Sequence, residues 1–305
     1  MARHGELELF EAIGDCSTSS RFPIYSATKP LVAMALLPLL EDLTRPVAEL
    51  IPEFGTNGKE VVTLEQVLVH TAGFPAAPMR PEEGADPERR LARFATWRLD
   101  WEPGSQFSYH HASAHWVLAE LLQRLGGADF RAVIHERVTA PLGLPRILGI
   151  PEDQQAGIVD PVIAEGGDTE IVRHLASPSS RAAGVPGGGG IATAADLVLL
   201  YQAWLRDTSG ATTDLRCNLP DPILGVPVMR TPAFVLAGDD GLHQMRYAGF
   251  GKGVSPAAFG HMGAHFQLAW ADPATGVSFA YLNNLVTDNV RHAGLTFPVS
   301  DSASG

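Results

Sequence analysis

Ser26 and Lys29 stand three residues apart in SATKP, at the head of an apolar run that continues through LVAMALL. On a helix three residues is about one turn, so the two side chains share a face. A serine at the first helical position has its oxygen beside free backbone N–H groups and the positive end of the dipole, which favours a developing alkoxide. A lysine one turn away takes the serine proton only if its own ammonium is driven to the neutral amine. Burial and neighbouring cations do that to lysine but not to arginine. The chain has three lysines, Lys29, Lys59 and Lys252, and uses arginine for its other cations. The lysine kept at this spacing is therefore read as a base, although Ser-x-x-Lys alone is short enough to arise by chance.

Other residue patterns carry competing chemistry. His111 and His115 are four apart, as are His261 and His265, and paired histidines at that spacing on one helix suit zinc. No Glu follows the first His as the hydrolytic zinc helix requires, and His261 and His265 fall in a strand-like stretch. No metal and no cofactor are expected. Gly187 to Gly190 lack the Lys-Ser/Thr that follows a phosphate-cradling loop, so they are read as a close backbone passage. His70 in HTAGFP reads as a tie between a loop and backbone, and Asp196 as a helix cap at capping-box spacing from Thr193. Tyr109, taken by itself, is an aromatic anchor at a helix start.

These residues need elements to hold them. GELELFEAIG, from Gly5 to Gly14, is short, partly alternating and bounded by glycines, which predicts a strand. A buried helix is predicted from about Ser26 to Leu43, with Pro30 tolerated in its first turn and a kink at Pro38. Residues 44 to 185 alternate helical patterns with Pro/Gly-rich loops. Beyond GVPGGGG, the stretch IATAADLVLLYQAWL opens another helix. HFQLAWAD and GVSFAYLNN read as strands joined by a turn at DPATG. The order predicts an α+β fold: an antiparallel sheet completed by N- and C-terminal strands with flanking helices, and an inserted, mainly helical region. The chain is read as one catalytic unit over 1–305, with its sheet-containing part at about 1–43 and 186–305 and the insertion at about 44–185.

At 305 residues the chain can bury a large core, and 45% hydrophobic with 18% charged residues is ordinary for a soluble globular protein. A net charge of -12 with no basic block disfavours nucleic acid and anionic membranes as partners. Cys16 and Cys217 are read as free thiols of a reducing compartment. With no signal-like N-terminus and no apolar run of spanning length, a cytoplasmic protein is expected.

YSATKP resembles the nucleophile motif of the serine β-lactamase and penicillin-binding-protein superfamily, with the closest likeness to its class C and family VIII carboxylesterase branch. Four further stretches follow in that family's order: LEQVLVHTAGFP (64–75), WEPGSQFSYHHASAHWVLAELL (101–122), VPGGGGIATAADLVLLY (185–201) and GHMGAHFQLAWADPATGVSFAYLNN (260–284). The resemblance implies that Ser26 is the acylated nucleophile, Lys29 the neighbouring base and Tyr109 the proton shuttle to the leaving group. It places His261-Met262-Gly263 where the family carries Lys-Thr-Gly or a His-x-Gly variant, on a strand lining the pocket. The backbone N–H groups of Ser26 and Ala264 would then form the oxyanion hole. His111, His261 and Gly263 would line the substrate site.

Two departures bear on substrate. His111 stands where family β-lactamases usually carry an asparagine, and His261 replaces the lysine that helps hold a β-lactam carboxylate. A neutral imidazole does not grip a carboxylate as an ammonium does, so a carboxylesterase on small or medium neutral esters is expected. An acyltransferase or amide hydrolase of small-molecule metabolism is the alternative. A β-lactamase or D,D-peptidase ranks behind both, and a non-catalytic binding relative last. The little sequence before Ser26 and after YLNN predicts a missing opening helix and a short or absent closing helix. One sheet face is then open to a homodimer contact.

Overall fold

The computed structural model describes residues 1–164, 170–207, 209–247 and 249–305. Six strands form an antiparallel sheet in the order Glu6–Leu7, Ala2–Arg3, Val277–Tyr281, Leu268–Asp272, Phe259–Gly260 and Val235–Leu236. Both termini therefore contribute, with Ala2 opposite Ser278. The strand expected over Gly5–Gly14 is not one strand. The chain turns at His4 and Gly5, both at positive φ, into the two-residue hairpin arm Glu6–Leu7, and the rest of that segment is exposed.

The alternation of LAWAD assigns its side chains to two cores, as a period of two requires. Ala269 and Ala271 pack with Leu197, Leu200 and Tyr201 of the helix Ala194–Trp204. Leu268 and Trp270 join Val277 and Phe279 in a second cluster, against which Ala293, Phe297 and Ala303 pack. Those last residues belong to a helix running Asn289–Ser304, so the closing helix expected to be short or absent covers this face. Its anchor is polar as well as apolar: Trp270 Nε1 donates to Ser300 Oγ at 3.0 Å. The weak periodicity of NVRHAGLTFPVSDSAS and its internal Pro298 concealed it, and packing on the sheet overrides that poor local propensity.

Thr193 and Asp196 form a complete capping box at the start of the Ala194–Trp204 helix. Further along that helix, the Gln202 side-chain amide donates to the carbonyls of Ala2 and Gly276 and accepts from the Gly5 N–H, tying the N-terminal strand to the sheet. The nucleophile segment is less regular than expected. A 3-10 turn, Ser26–Thr28, leads into an α-helix over Lys29–Leu36, and a second 3-10 turn, Leu37–Leu39, carries Pro38. No helix precedes Ser26 among the described residues. This segment packs on the helix Ser113–Gly126, whose buried Glu120 pairs with buried Arg90 at 2.5 Å.

Candidate active site

The short strand Phe22–Tyr25 pairs antiparallel with Gly190–Ala192, and the chain turns out of it sharply. Tyr25 makes that turn at φ 44°, a conformation an aromatic side chain adopts only when its surroundings impose it. Thr28 supplies part of the constraint: its hydroxyl donates to the Tyr25 carbonyl at 2.5 Å and accepts from the Gly190 N–H at 2.9 Å. The result is Ser26 at the first position of a helical turn, half-buried at the end of a strand.

Lys29 Nζ lies 3.1 Å from Ser26 Oγ. It also donates to the His111 carbonyl at 2.9 Å and the Gly187 carbonyl at 2.6 Å. Among the described residues no carboxylate pairs with it. Burial pushes its pKa down; the Tyr109 phenol opposes this, and the Arg230 charge adds to the fall. A neutral amine has two N–H bonds and one lone pair. With the two carbonyls taking the N–H bonds, the lone pair faces the Ser26 hydroxyl. Gly187 permits this close passage, since a Cβ there would sit 2.8 Å from the His111 carbonyl oxygen and 3.5 Å from Nζ.

Lys59 corrects part of the lysine argument. It too is buried, donating to the carbonyls of Thr56 and Trp97 at 2.6 Å each, and burial pulls its pKa down to about 8. A buried lysine in this chain is therefore not by itself the sign of a base. Lys59 even has a hydroxyl at 3.1 Å, that of Thr56, but that hydroxyl donates to the Ala95 carbonyl, whereas Ser26 stands at the head of a helical turn beside Lys29 and the Tyr109 ring.

Tyr109 sits in the loop before the Ser113 helix, not at the helix start, with its ring centroid 5.0 Å from Lys29 Nζ. Its hydroxyl is enclosed and, among the described residues, makes no hydrogen bond of good geometry. His111 packs edge-on against the Tyr109 ring at 4.8 Å, and His261 faces it at 6.2 Å. The strand before His261 ends at Gly260, short of the predicted lining strand. Its backbone pairing nevertheless continues, from the His261 N–H to the Ala269 carbonyl and from the Gly263 N–H to the Gln267 carbonyl. Gly263 is pressed against the strand leading to Ser26, for a Cβ there would lie 2.1 Å from the Ile24 carbonyl oxygen. This brings Ala264 to the nucleophile strand, and His265 meets the Tyr25 ring edge-on. Among the described residues, neither the amide of Ser26 nor that of Ala264 donates to a backbone group outside its own helical turn.

The family model described as Beta-lactamase matches residues 1–300. The chain belongs to that family and is a serine hydrolase. It is similar to the esterase/beta-lactamase LipL of Mycobacterium tuberculosis (strain ATCC 25618 / H37Rv), with 27% identity covering 94% of this chain and 76% of that protein. Esterase EstB of Burkholderia gladioli is 30% identical over 47% of this chain and 44% of its own length. Among solved structures, a family VIII carboxylesterase superposes with a TM-score of 0.76 at 22% identity, covering 92% of this chain and 83% of that one. That likeness bears on fold. The α+β architecture with an antiparallel sheet read from element order is the one observed.

The candidate histidines are not gathered around one metal position. His111 is exposed, His115 stacks on His70 at 5.9 Å in the interior, and His265 lies against Tyr25. Among the described residues no group of three or more His, Cys, Asp or Glu is placed to hold a metal ion. His70 acts as predicted, accepting the His110 N–H at 3.2 Å. Sequence reasoning missed Arg230, whose guanidinium carbon lies 5.2 Å from the Tyr109 ring centroid. An arginine within PVMRTPAF carries no local signal for this position, 121 residues along the chain from Tyr109.

The buried imidazoles set an acid limit on stability. Burial holds the pKa of His70, His115 and His261 well below the usual value, and that of His110 down at about 4. Unfolding returns each to about 6.5, so below that pH the unfolded chain binds more protons and stability falls as pH drops. His110 alone contributes a loss of about 2 kcal/mol between pH 7.5 and pH 5. The urea midpoint is expected to fall steeply over that interval. An unchanged midpoint would show that these rings are not held neutral.

Proposed function

We propose that the chain is a carboxylesterase that forms an acyl-enzyme on Ser26 from small or medium neutral esters. The observation that carries this reading is the buried Lys29 amine, fixed by two carbonyls with its third direction on Ser26 Oγ. Ser26 Oγ attacks the ester carbonyl, forming the Oγ–C bond as the C–O bond to the alcohol breaks. The serine proton passes to Lys29 and, by way of Tyr109, to the departing oxygen. The amides of Ser26 and Ala264 receive the oxyanion. Water then attacks the acyl-enzyme along the reverse proton route, releasing the acid and restoring Ser26. His111, His261 and Gly263 line the space the substrate enters. The esterase names of LipL and EstB support the same reading.

Steady-state assays on p-nitrophenyl acetate, butyrate and octanoate test it, each run with and without added methanol or a primary amine. Turnover with release of free acid is expected, falling with chain length. Release of the methyl ester or amide in place of acid would assign the chain to acyl transfer instead. No turnover of any ester would overturn the proposal.

A further inference from the structure

Of the seven non-glycine residues at positive φ among the described residues, three flank the two amides assigned to the oxyanion. Tyr25, at φ 44°, directly precedes Ser26, and His265 and Phe266, at 54° and 55°, directly follow Ala264. A non-glycine residue holds a left-handed backbone at a cost, and residues so held gather at functional sites. Hydrogen bonds impose it on the second segment. Asn283 Nδ2 donates to the carbonyls of His265 at 3.0 Å and Phe266 at 3.4 Å, and Gln267 Nε2 donates to the His265 carbonyl at 3.2 Å. The Gly263 N–H closes the turn on the Gln267 carbonyl at 2.8 Å. Phe266 is buried and meets Phe297 of the closing helix at 6.3 Å.

We propose that the edge-on contact between the Tyr25 and His265 rings positions the oxyanion site, by fixing the separation of the Ser26 and Ala264 amides. This rests on the acyl-enzyme reading above. Two contacts join the segments that carry these amides. Gly263 presses on the Ile24 carbonyl so closely that no Cβ fits between them. Beyond it the rings of Tyr25 and His265 meet, with centroids 5.6 Å apart and planes at 74°, the edge-to-face geometry that aromatic rings favour. Ala264 lies between the two contacts on its segment, and Ser26 follows directly after both on the other. Ala264 is itself exposed and carries only a methyl group, so its neighbours hold its amide in place. The backbone contact sets how near the segments come, and the ring contact keeps them from splaying. Tyr25 and His265 are thus positioning residues. Oxyanion donors work because they are aimed before charge develops, and a displacement of about 1 Å costs about 10²-fold. The contact therefore acts on kcat and leaves substrate binding alone.

The test measures kcat and KM for p-nitrophenyl butyrate in Tyr25→Leu, His265→Asn, the double variant and Tyr25→Phe. Asparagine tolerates a left-handed backbone, so His265→Asn removes the ring and keeps the turn. Each ring-deleting single variant is expected to lower kcat by about 10²-fold with KM near that of wild type, and the double variant to lose no more than either single. Tyr25→Phe keeps the ring and is expected to retain most of the activity. Affinity for propylboronic acid, whose tetrahedral adduct on Ser26 mimics the one formed from a butyrate ester, should fall in step with kcat. Unchanged kcat in His265→Asn, a loss confined to KM, single losses that multiply in the double variant, or an inactive Tyr25→Phe would each overturn the ring contact while leaving the esterase intact. His265 is half-buried, so its asparagine variant decides the matter even where Tyr25→Leu fails to fold. Failure of wild type to hydrolyse the ester or to take up a fluorophosphonate would instead defeat the acyl-enzyme reading on which the proposal stands.

Discussion

Ser26→Ala protein hydrolyses p-nitrophenyl butyrate at a rate lower by at least about 10⁴-fold and takes up no fluorophosphonate, while its fold and urea midpoint stay near those of wild type. The size of the loss follows from geometry: Ser26 alone stands at the strained exit of its strand, at the head of a helical turn with a buried amine 3.1 Å from its oxygen. The small effect on stability follows too. Among the described residues the Ser26 hydroxyl has one hydrogen-bond partner, Lys29, which keeps both its carbonyl partners in the variant. Mass spectrometry of the wild-type adduct places the label on the peptide containing Ser26. Undiminished hydrolysis by Ser26→Ala would remove the whole mechanism.

Lys29→Arg is expected to lower kcat by at least about 10²-fold, the scale of a lost general base. Arginine preserves the charge but supplies no lone pair to Ser26. The pH profile separates this from simple crowding near Gly187. Burial lowers the Lys29 pKa, so the neutral amine persists to lower pH than in a free lysine. As pH falls through that lowered value the amine is protonated and wild-type kcat declines on the acid side. The residual activity of the arginine variant should lack this limb. Near-normal activity in Lys29→Arg would make Lys29 a fixed cation, and a flat wild-type profile would take it out of the titrating step.

What the sequence by itself determined about this protein was whatever is encoded between near neighbours. The three-residue spacing of Ser26 and Lys29, the capping box of Thr193 and Asp196, and the alternation in LAWAD each arise from one turn or one pleat, so their geometry was legible without the fold. The order of strand, helices and strands likewise gave the α+β class. Tertiary structure decided the rest, because the deciding partners lie far along the chain. Lys29 becomes a candidate base through the carbonyls of His111 and Gly187, which sequence spacing does not bring near it. Lys59, of the same residue type and as deeply buried, has carbonyls and the Thr56 hydroxyl for neighbours, and that hydroxyl is already donated to the Ala95 carbonyl. The closing helix Asn289–Ser304 exists because Trp270 and Phe279 offer it an apolar face, not because its own residues favour helix. Arg230 shows the same rule at the site itself. A guanidinium reads as one more surface charge until folding sets it over the ring of Tyr109, desolvated by residues from several segments.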